Sequence, residues 1–293
     1  MEDIIKKMKE KYFTFSKGQK LIADYIFEHY DKAAFMTAAK LGEEAGVSES
    51  TVVRFATEMG YDGYPAFQKV LREVIKSRLT AVQRLEVSSK RIDSESVLKS
   101  VLQADMNKIR LTLEEADPDI FNKIVEEILS ANRIYILGVR SSAPLASFLG
   151  FYFNLIFENV RLVNTSSVSE MFEQIVNARE KDVVIGISFP RYSKRTSKAM
   201  QYAKNQGATV IAITDNHNSP LAKCADYSLF ARSDMASFVD SLVAPLSIIN
   251  ALIVAIGLKR KDSLYKTLSH LEKIWDEYQV YDKGEPYSDL KHD

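Results

Sequence analysis

The sequence predicts an all-α domain followed by an α/β three-layer sandwich with a five-stranded, mostly parallel sheet. Three observations predict it. As far as residue 117, apolar residues recur at helical spacing. From Asp119 onward, short and almost wholly apolar runs such as IYIL, VVIGI and TVIAI alternate with helical stretches. Strands of that kind belong to parallel sheets covered on both faces. Finally, 293 residues with 46% hydrophobic side chains suffice for about two domains.

In order, residues 1–12 are charged and helical in pattern. Ser16 with Gln19 forms a capping box that opens a helix carrying Leu21, Ile22, Tyr25 and Ile26. A turn is expected over Gly60–Pro65, then an amphipathic helix marked by Phe67, Val70, Leu71, Val74 and Ile75. About five helices thus make a compact domain over 1–76. Residues 77–117 hold no glycine and read as a helical connector, with a break at Ser88–Arg91. It is either an exposed linker or a helix that packs on a dimer partner. The second domain covers 118–293. Its helices are expected at 119–131, 143–157, 169–178, 194–205, 238–259 and 263–278. Its strands are expected at 133–137, 159–163, 182–187, 208–213 and 227–231.

Within the first domain, residues 37–59 form the most informative stretch. Ala38, Ala39, Leu41 and Ala45 suit a short helix, and Gly46 supplies the left-handed residue that ends it. Val47 plugs the corner, and Ser48 caps the next helix. In that helix Val52, Phe55, Ala56 and Met59 make a buried stripe, leaving Ser50, Thr51, Arg54 and Thr57 on other faces. A polar helix face with one arginine, backed by a second helix, suits a DNA major groove. The stretch resembles the helix-turn-helix of bacterial regulators, with Gly42, where alanine is usual, fitting a close helix approach. Ser48, Ser50, Thr51, Arg54 and Thr57 are the candidate DNA-binding residues. The plainer alternative for Arg54 is a surface ion pair with Glu58 one turn on; for the whole stretch it is a helical hairpin. Lys17 and Lys69 are weaker phosphate candidates.

Charge neither demands nor excludes nucleic acid. Lys+Arg and Asp+Glu are 39 each, and residues 1–80 hold 13 basic and 12 acidic side chains, a net of +1. DNA affinity must come from local placement. A single cysteine, Cys224, excludes an internal disulfide and suits a reducing compartment. The N-terminus lacks the apolar core of a secretory signal. The uncharged run Ser241–Leu258 reads as a buried helix. A cytoplasmic protein without a membrane segment is expected.

Ligands of parallel sheets sit beyond the C-terminal strand ends. Two loops there combine hydroxyls, cations and helix N-termini, a combination that receives anions. They are Gly138-Val139-Arg140-Ser141-Ser142 and Ser188-Phe189-Pro190-Arg191-Tyr192-Ser193-Lys194-Arg195-Thr196. Thr214-Asp215-Asn216 forms a third. Ser141, Ser142, Ser188, Arg191, Ser193 and Thr196 are the candidate effector-binding residues; helix capping and surface charge are their bland alternatives. Glu170 and Glu173 are weaker.

These loops resemble those of the sugar isomerase (SIS) domain, over residues 124–263. Gly138 and Ser142 match the first loop of that family, with Arg140 in place of a glycine. Ser188, Ser193 and Thr196 match the second, with Lys194 in place of a glycine. ISFPRYSKRT joined to the helix-turn-helix resembles the RpiR family of bacterial transcription regulators. The resemblance implies operator DNA bound by the first domain and a phosphorylated sugar effector in the second. It also implies a homodimer or homotetramer. A separate hypothesis is that ligand biases the placement of subunits through the 77–117 connector, altering the spacing of paired recognition helices. No cofactor and no metal are expected. The rival reading is a phosphosugar isomerase using the same α/β domain. Isomerisation needs a positioned base, and of the four histidines only His217 falls near a strand-end loop.

Overall fold

The computed structural model describes residues 4–76, 79–89, 96–163, 165, 167–233 and 238–281. The first domain is built from α1 (Ile4–Lys11), α2 (Lys17–Glu28), α3 (Tyr30–Ala33), α4 (Ala38–Ala45), α5 (Glu49–Glu58) and α6 (Gly63–Lys76). Several boundaries have a local cause. The Ser16–Gln19 capping box is formed, and Thr37 and Ser48 cap α4 and α5. Gly46 ends α4 at φ +70°. One expectation fails: Tyr64 and Pro65 lie inside α6 rather than in a turn. Proline is tolerated in a first helical turn, where its missing N–H has no partner to lose. The short α3 was also not foreseen. Ile22, Leu41, Val52, Phe55, Phe67 and Leu71 meet in one fully buried core.

The connector region contains α7 (Ala81–Ser89) and α8 (Val97–Glu115). Of the expected break, Lys90 and Arg91 lie outside the described residues. Leu79 belongs to the first domain's core, and α7 packs on α3. Helix α8 instead packs on the second domain. There the Ser241 hydroxyl donates to Asp105 at 2.7 Å and the Arg232 N–H donates to Thr112 at 2.9 Å.

The second domain runs α9 (Pro118–Ser130), β1 (Ile134–Gly138), α10 (Ala143–Ile156), β2 (Val160–Val163), α11 (Val168–Ile175), β3 (Val183–Ile187), α12 (Lys194–Asn205), β4 (Thr209–Thr214), α13 (Pro220–Cys224), β5 (Tyr227–Phe230), α14 (Val243–Lys259) and α15 (Lys261–Glu277). All pairings are parallel, in the order β2-β1-β3-β4-β5. Strands β1 and β3 are buried throughout, which is why they read as unbroken apolar runs. One face packs on α9, α10 and α14, the other on α11, α12 and α13. The five-stranded sandwich is the expected fold. Helix α14 starts at Val243 rather than Phe238, and α13 was not anticipated. Among the described residues no single helix is long and apolar enough to cross a membrane. The apolar run lies in α14, with Ile249, Leu252 and Ile256 fully buried in the core.

Candidate functional sites

The recognition-type helix α5 is fixed along its length. Val52, Phe55, Ala56 and Met59 are fully buried. Lys7 and Lys11 of α1 donate to the carbonyls of Met59 and Glu58, at 2.8 and 3.1 Å, which satisfies acceptors that a helix C-terminus leaves open. At the other end, a Cβ on Gly42 would lie 2.8 Å from the Val47 carbonyl oxygen. Only glycine lets α4 approach the corner this closely without a shift.

Ser50, Arg54 and Thr57 are exposed and Thr51 is half-buried. The Ser48 hydroxyl lies 2.9 Å from that of Ser50 and 2.8 Å from that of Thr51. Arg54 donates from Nε to the Ser50 carbonyl at 3.4 Å. The Arg54–Glu58 alternative is not adopted: the Glu58 carboxylate accepts from Gln19 instead. Thr57 donates back to the Val53 carbonyl at 3.2 Å. Val53, 39% exposed on this face, is the residue the sequence reading passed over. It adds an apolar contact of the kind that meets a thymine methyl. Its exposure beside Arg54, off the buried stripe, was the available signal.

At the sheet, β1 pairs with β2 on one side and β3 on the other. The chain therefore reverses its direction of travel between β1 and β3, and in open parallel sheets such a switch point is where a crevice forms at the C-terminal strand ends. Gly138 is in register with Ile187, and Ile187 with Ile213, so the three expected loops leave the sheet side by side. A Cβ on Gly138 would lie 2.7 Å from the Ser142 carbonyl oxygen and 2.8 Å from Ala146 Cβ, so this turn requires glycine. Arg140 has φ +56° and Arg191 φ +68°, backbone values that favour glycine. Arg140 therefore occupies a backbone conformation that glycine adopts without strain. Lys194 is different: it begins α12 and needs no glycine.

Ser142, Ser188 and Thr196 are buried at the crevice, Ser193 is half-buried, and Ser141 and Arg191 are exposed. The Ser188 hydroxyl accepts from the Ser193 N–H at 3.0 Å, and the Ser193 hydroxyl from the Thr196 N–H at 3.2 Å. The Thr196 hydroxyl is fully buried without a hydrogen-bond partner. The third loop is locked to the second. Tyr192 donates to Asp215 at 2.8 Å, the Asn216 amide to Asp215 at 2.7 Å, and Thr214 to the Ser188 carbonyl at 2.8 Å. Burial pushes the Asp215 carboxyl above its ordinary range, against these donors. His217 packs against Phe230 with the rings tilted by 52°, centroids 4.0 Å apart. Among the described residues no cluster of His, Cys, Asp or Glu is disposed to hold a metal.

Arg84 of α7 makes a buried ion pair with Asp240, Nη1–Oδ1 2.6 Å. Burial raises the Asp240 pKa, and the positive charges of Arg84 and Arg191 oppose that rise. A residue of the connector and a residue of the 188–196 loop thus bear on the charge of one carboxylate.

Residues 2–78 match the helix-turn-helix domain of the rpiR family and residues 127–255 the SIS domain. The chain belongs to the RpiR family of transcription regulators. An HTH-type transcriptional regulator of Caldanaerobacter subterraneus subsp. tengcongensis is 28% identical over 282 residues, 94% of this chain and 97% of that protein. Another, from Clostridium perfringens, is 26% identical over 227 residues, 77% of this chain and 80% of that one. Among solved structures, the sugar isomerase domain of an RpiR transcription factor from Sphaerobacter thermophilus is 25% identical. It covers 61% of this chain and 99% of its own, with TM-score 0.58. Vibrio vulnificus NanR complexed with ManNAc-6P shares the fold at 20% identity and TM-score 0.57, over 92% of this chain and 98% of its own.

Proposed function

We propose that this RpiR-family chain is a cytoplasmic regulator of sugar-metabolism genes, with residues 1–76 binding operator DNA and residues 118–293 binding a phosphorylated sugar. Ser48, Ser50, Thr51, Arg54 and Thr57 meet the duplex. Ser142, Ser188, Ser193 and Thr196 take the phosphate at the N-terminus of α12. Arg191, exposed at the same loop, adds charge, with Ser141 at the rim. A sugar phosphate is the ligand of the NanR protein of the same fold. The observation that carries the reading is the buried, unpartnered Thr196 hydroxyl at the α12 N-terminus, because an unmade hydrogen bond at a buried group disfavours the empty state.

The sugar phosphate acts here as an effector rather than a substrate, in keeping with relatives that are transcriptional regulators. The chain works as a homodimer or homotetramer, matching the two-fold symmetry usual for operators. Residues 77–117 transmit the signal, supported by the Arg84–Asp240 pair beside Arg191.

A thermal-shift screen of sugar phosphates tests the effector site. One member should raise the melting temperature of the wild type and leave Thr196→Val unmoved. Thr196→Val should itself melt no lower than wild type without ligand, since it deletes an unsatisfied hydroxyl. An undiminished shift in Thr196→Val places the pocket elsewhere. Conversion of the bound sugar phosphate to an isomer, followed by NMR, would favour the enzyme.

A further inference from the structure

The loops assigned to the sugar phosphate leave the sheet at the C-terminal strand ends. A polar cavity of about 550 Å³ lies at the opposite end, where β1 begins at Ile134 and β2 follows Asn159. That volume is typical of a small-molecule site. Arg260, Glu158, Asn132, Asn154 and Asn159 line it. None of them belongs to the residues assigned to DNA or to the sugar phosphate.

The arginine is the unusual member. Of the described arginines that are not fully exposed, Arg72 donates to the Ala34 carbonyl, Arg84 to Asp240 and Arg232 to Glu115. The half-buried Arg260, among the described residues, donates to no protein group from its side chain. Its guanidinium lies over the buried Phe157 ring, Cζ 4.7 Å from the centroid. That contact holds the side chain without using its N–H donors, which are left for a ligand.

Glu158 borders the same cavity, yet it makes no ion pair with Arg260 or with any other described cation. Lys259, the neighbour of Arg260, pairs with Glu126 instead. A cation and an anion thus border one space without meeting. The side-chain amides of Asn132 and Asn159 have no partner among the described residues. That of Asn154 donates to the Gly150 carbonyl at 2.7 Å, which leaves its oxygen to accept.

We propose that this cavity binds a small zwitterion of the amino-acid type, with its carboxylate on Arg260 and its ammonium on Glu158. Opposite charges held apart, with neutral amides between donors and acceptors, match a ligand that carries both charges itself. A guanidinium suits the carboxylate because it can meet both oxygens at once. Glu158 disfavours an anion that has no ammonium, since it would face a like charge. The chemistry therefore differs from that proposed for the strand-end loops, and the site stands independently of the DNA and effector readings. A chain with both sites responds to an amine-bearing metabolite besides a sugar phosphate.

Calorimetric titration of the full chain with each proteinogenic L-amino acid in turn is the test. At least one should bind the wild type, and Arg260→Gln and Glu158→Gln should each weaken it about tenfold or more. Glu158 is exposed, so its variant should keep the wild-type melting temperature. Arg260→Lys keeps a cation beside Phe157 but not the two-pronged contact. It should also weaken binding, and it serves if Arg260→Gln fails to fold. Acetate and ethylammonium, which carry half of the charge pattern each, should bind far more weakly than the amino acid. Thr196→Val should bind the amino acid as the wild type does. The proposal is overturned if no amino acid binds the wild type at millimolar concentration, if the Arg260 and Glu158 variants bind undiminished, or if acetate binds as tightly. Binding lost in Thr196→Val but kept in Glu158→Gln would place the amino acid at the strand-end loops and overturn it equally.

Discussion

The recognition helix and the crevice loops carry similar residue types in opposite settings. On α5, Ser50 and Arg54 stand exposed, the Ser50 hydroxyl meeting that of Ser48 and Arg54 donating to the Ser50 carbonyl. At the sheet, Ser142, Ser188 and Thr196 are buried, and one hydroxyl lacks a partner. The difference matches the two ligands proposed. A duplex is too large to enclose, so it is read from outside by groups that water otherwise solvates. A small phosphate can be enclosed, so its donors wait in a crevice where each hydrogen bond is stronger. Substitutions of the exposed Ser50 or Arg54 should therefore change binding without changing stability, and substitutions at the second site should change both.

Arg84 gives the largest expected effect, because it belongs to neither region and its ion pair with Asp240 is buried. Arg84→Met leaves Asp240 without its buried partner, at a cost of about 3 kcal/mol, read by urea denaturation. Unchanged stability would show that this pair does not hold the connector to the second domain. Arg54→Ala should weaken operator binding by about 1–3 kcal/mol, measured by titration at fixed salt, with an unaltered melting temperature. A lower melting temperature would place Arg54 among the structural residues and blur the contrast.

Arg140→Gly should act in the other direction. A non-glycine residue at φ +56° costs about 1 kcal/mol, so the variant should melt slightly higher. A lower melting point would show that the Arg140 side chain makes up for its backbone. The smallest effect concerns pH. Burial holds the Asp215 carboxyl above its ordinary value, so the folded state binds this proton more tightly than the unfolded chain. Stability contributed by the protonated form is present at low pH and declines as pH rises through the displaced pKa. Asp215→Asn should flatten that part of the stability–pH curve relative to wild type.

How legible each region was follows from the range of the interactions involved. The faces of α5 could be read because a helix fixes which residues share a side within two turns. Gly46, Ser48 and the Ser16–Gln19 box act over three or four residues, and all formed as expected. Pro65 misled because the same residue suits a turn and a helical first turn equally. The loops at the strand ends were identifiable from their hydroxyls and arginines. The Arg84–Asp240 pair, across 156 residues, had no local signature at all.

By itself, then, the sequence determined the helix-turn-helix, the five strands and the chemistry of the two loops, since periodicity, capping and apolar runs are short-range properties of the chain. Tertiary structure alone decided the order β2-β1-β3-β4-β5 that sets those loops beside one crevice. It also decided which hydroxyls are buried there and which residues gather around Arg260. Strand order and burial depend on how distant segments pack, and identical local patterns are compatible with many such arrangements until the cores close.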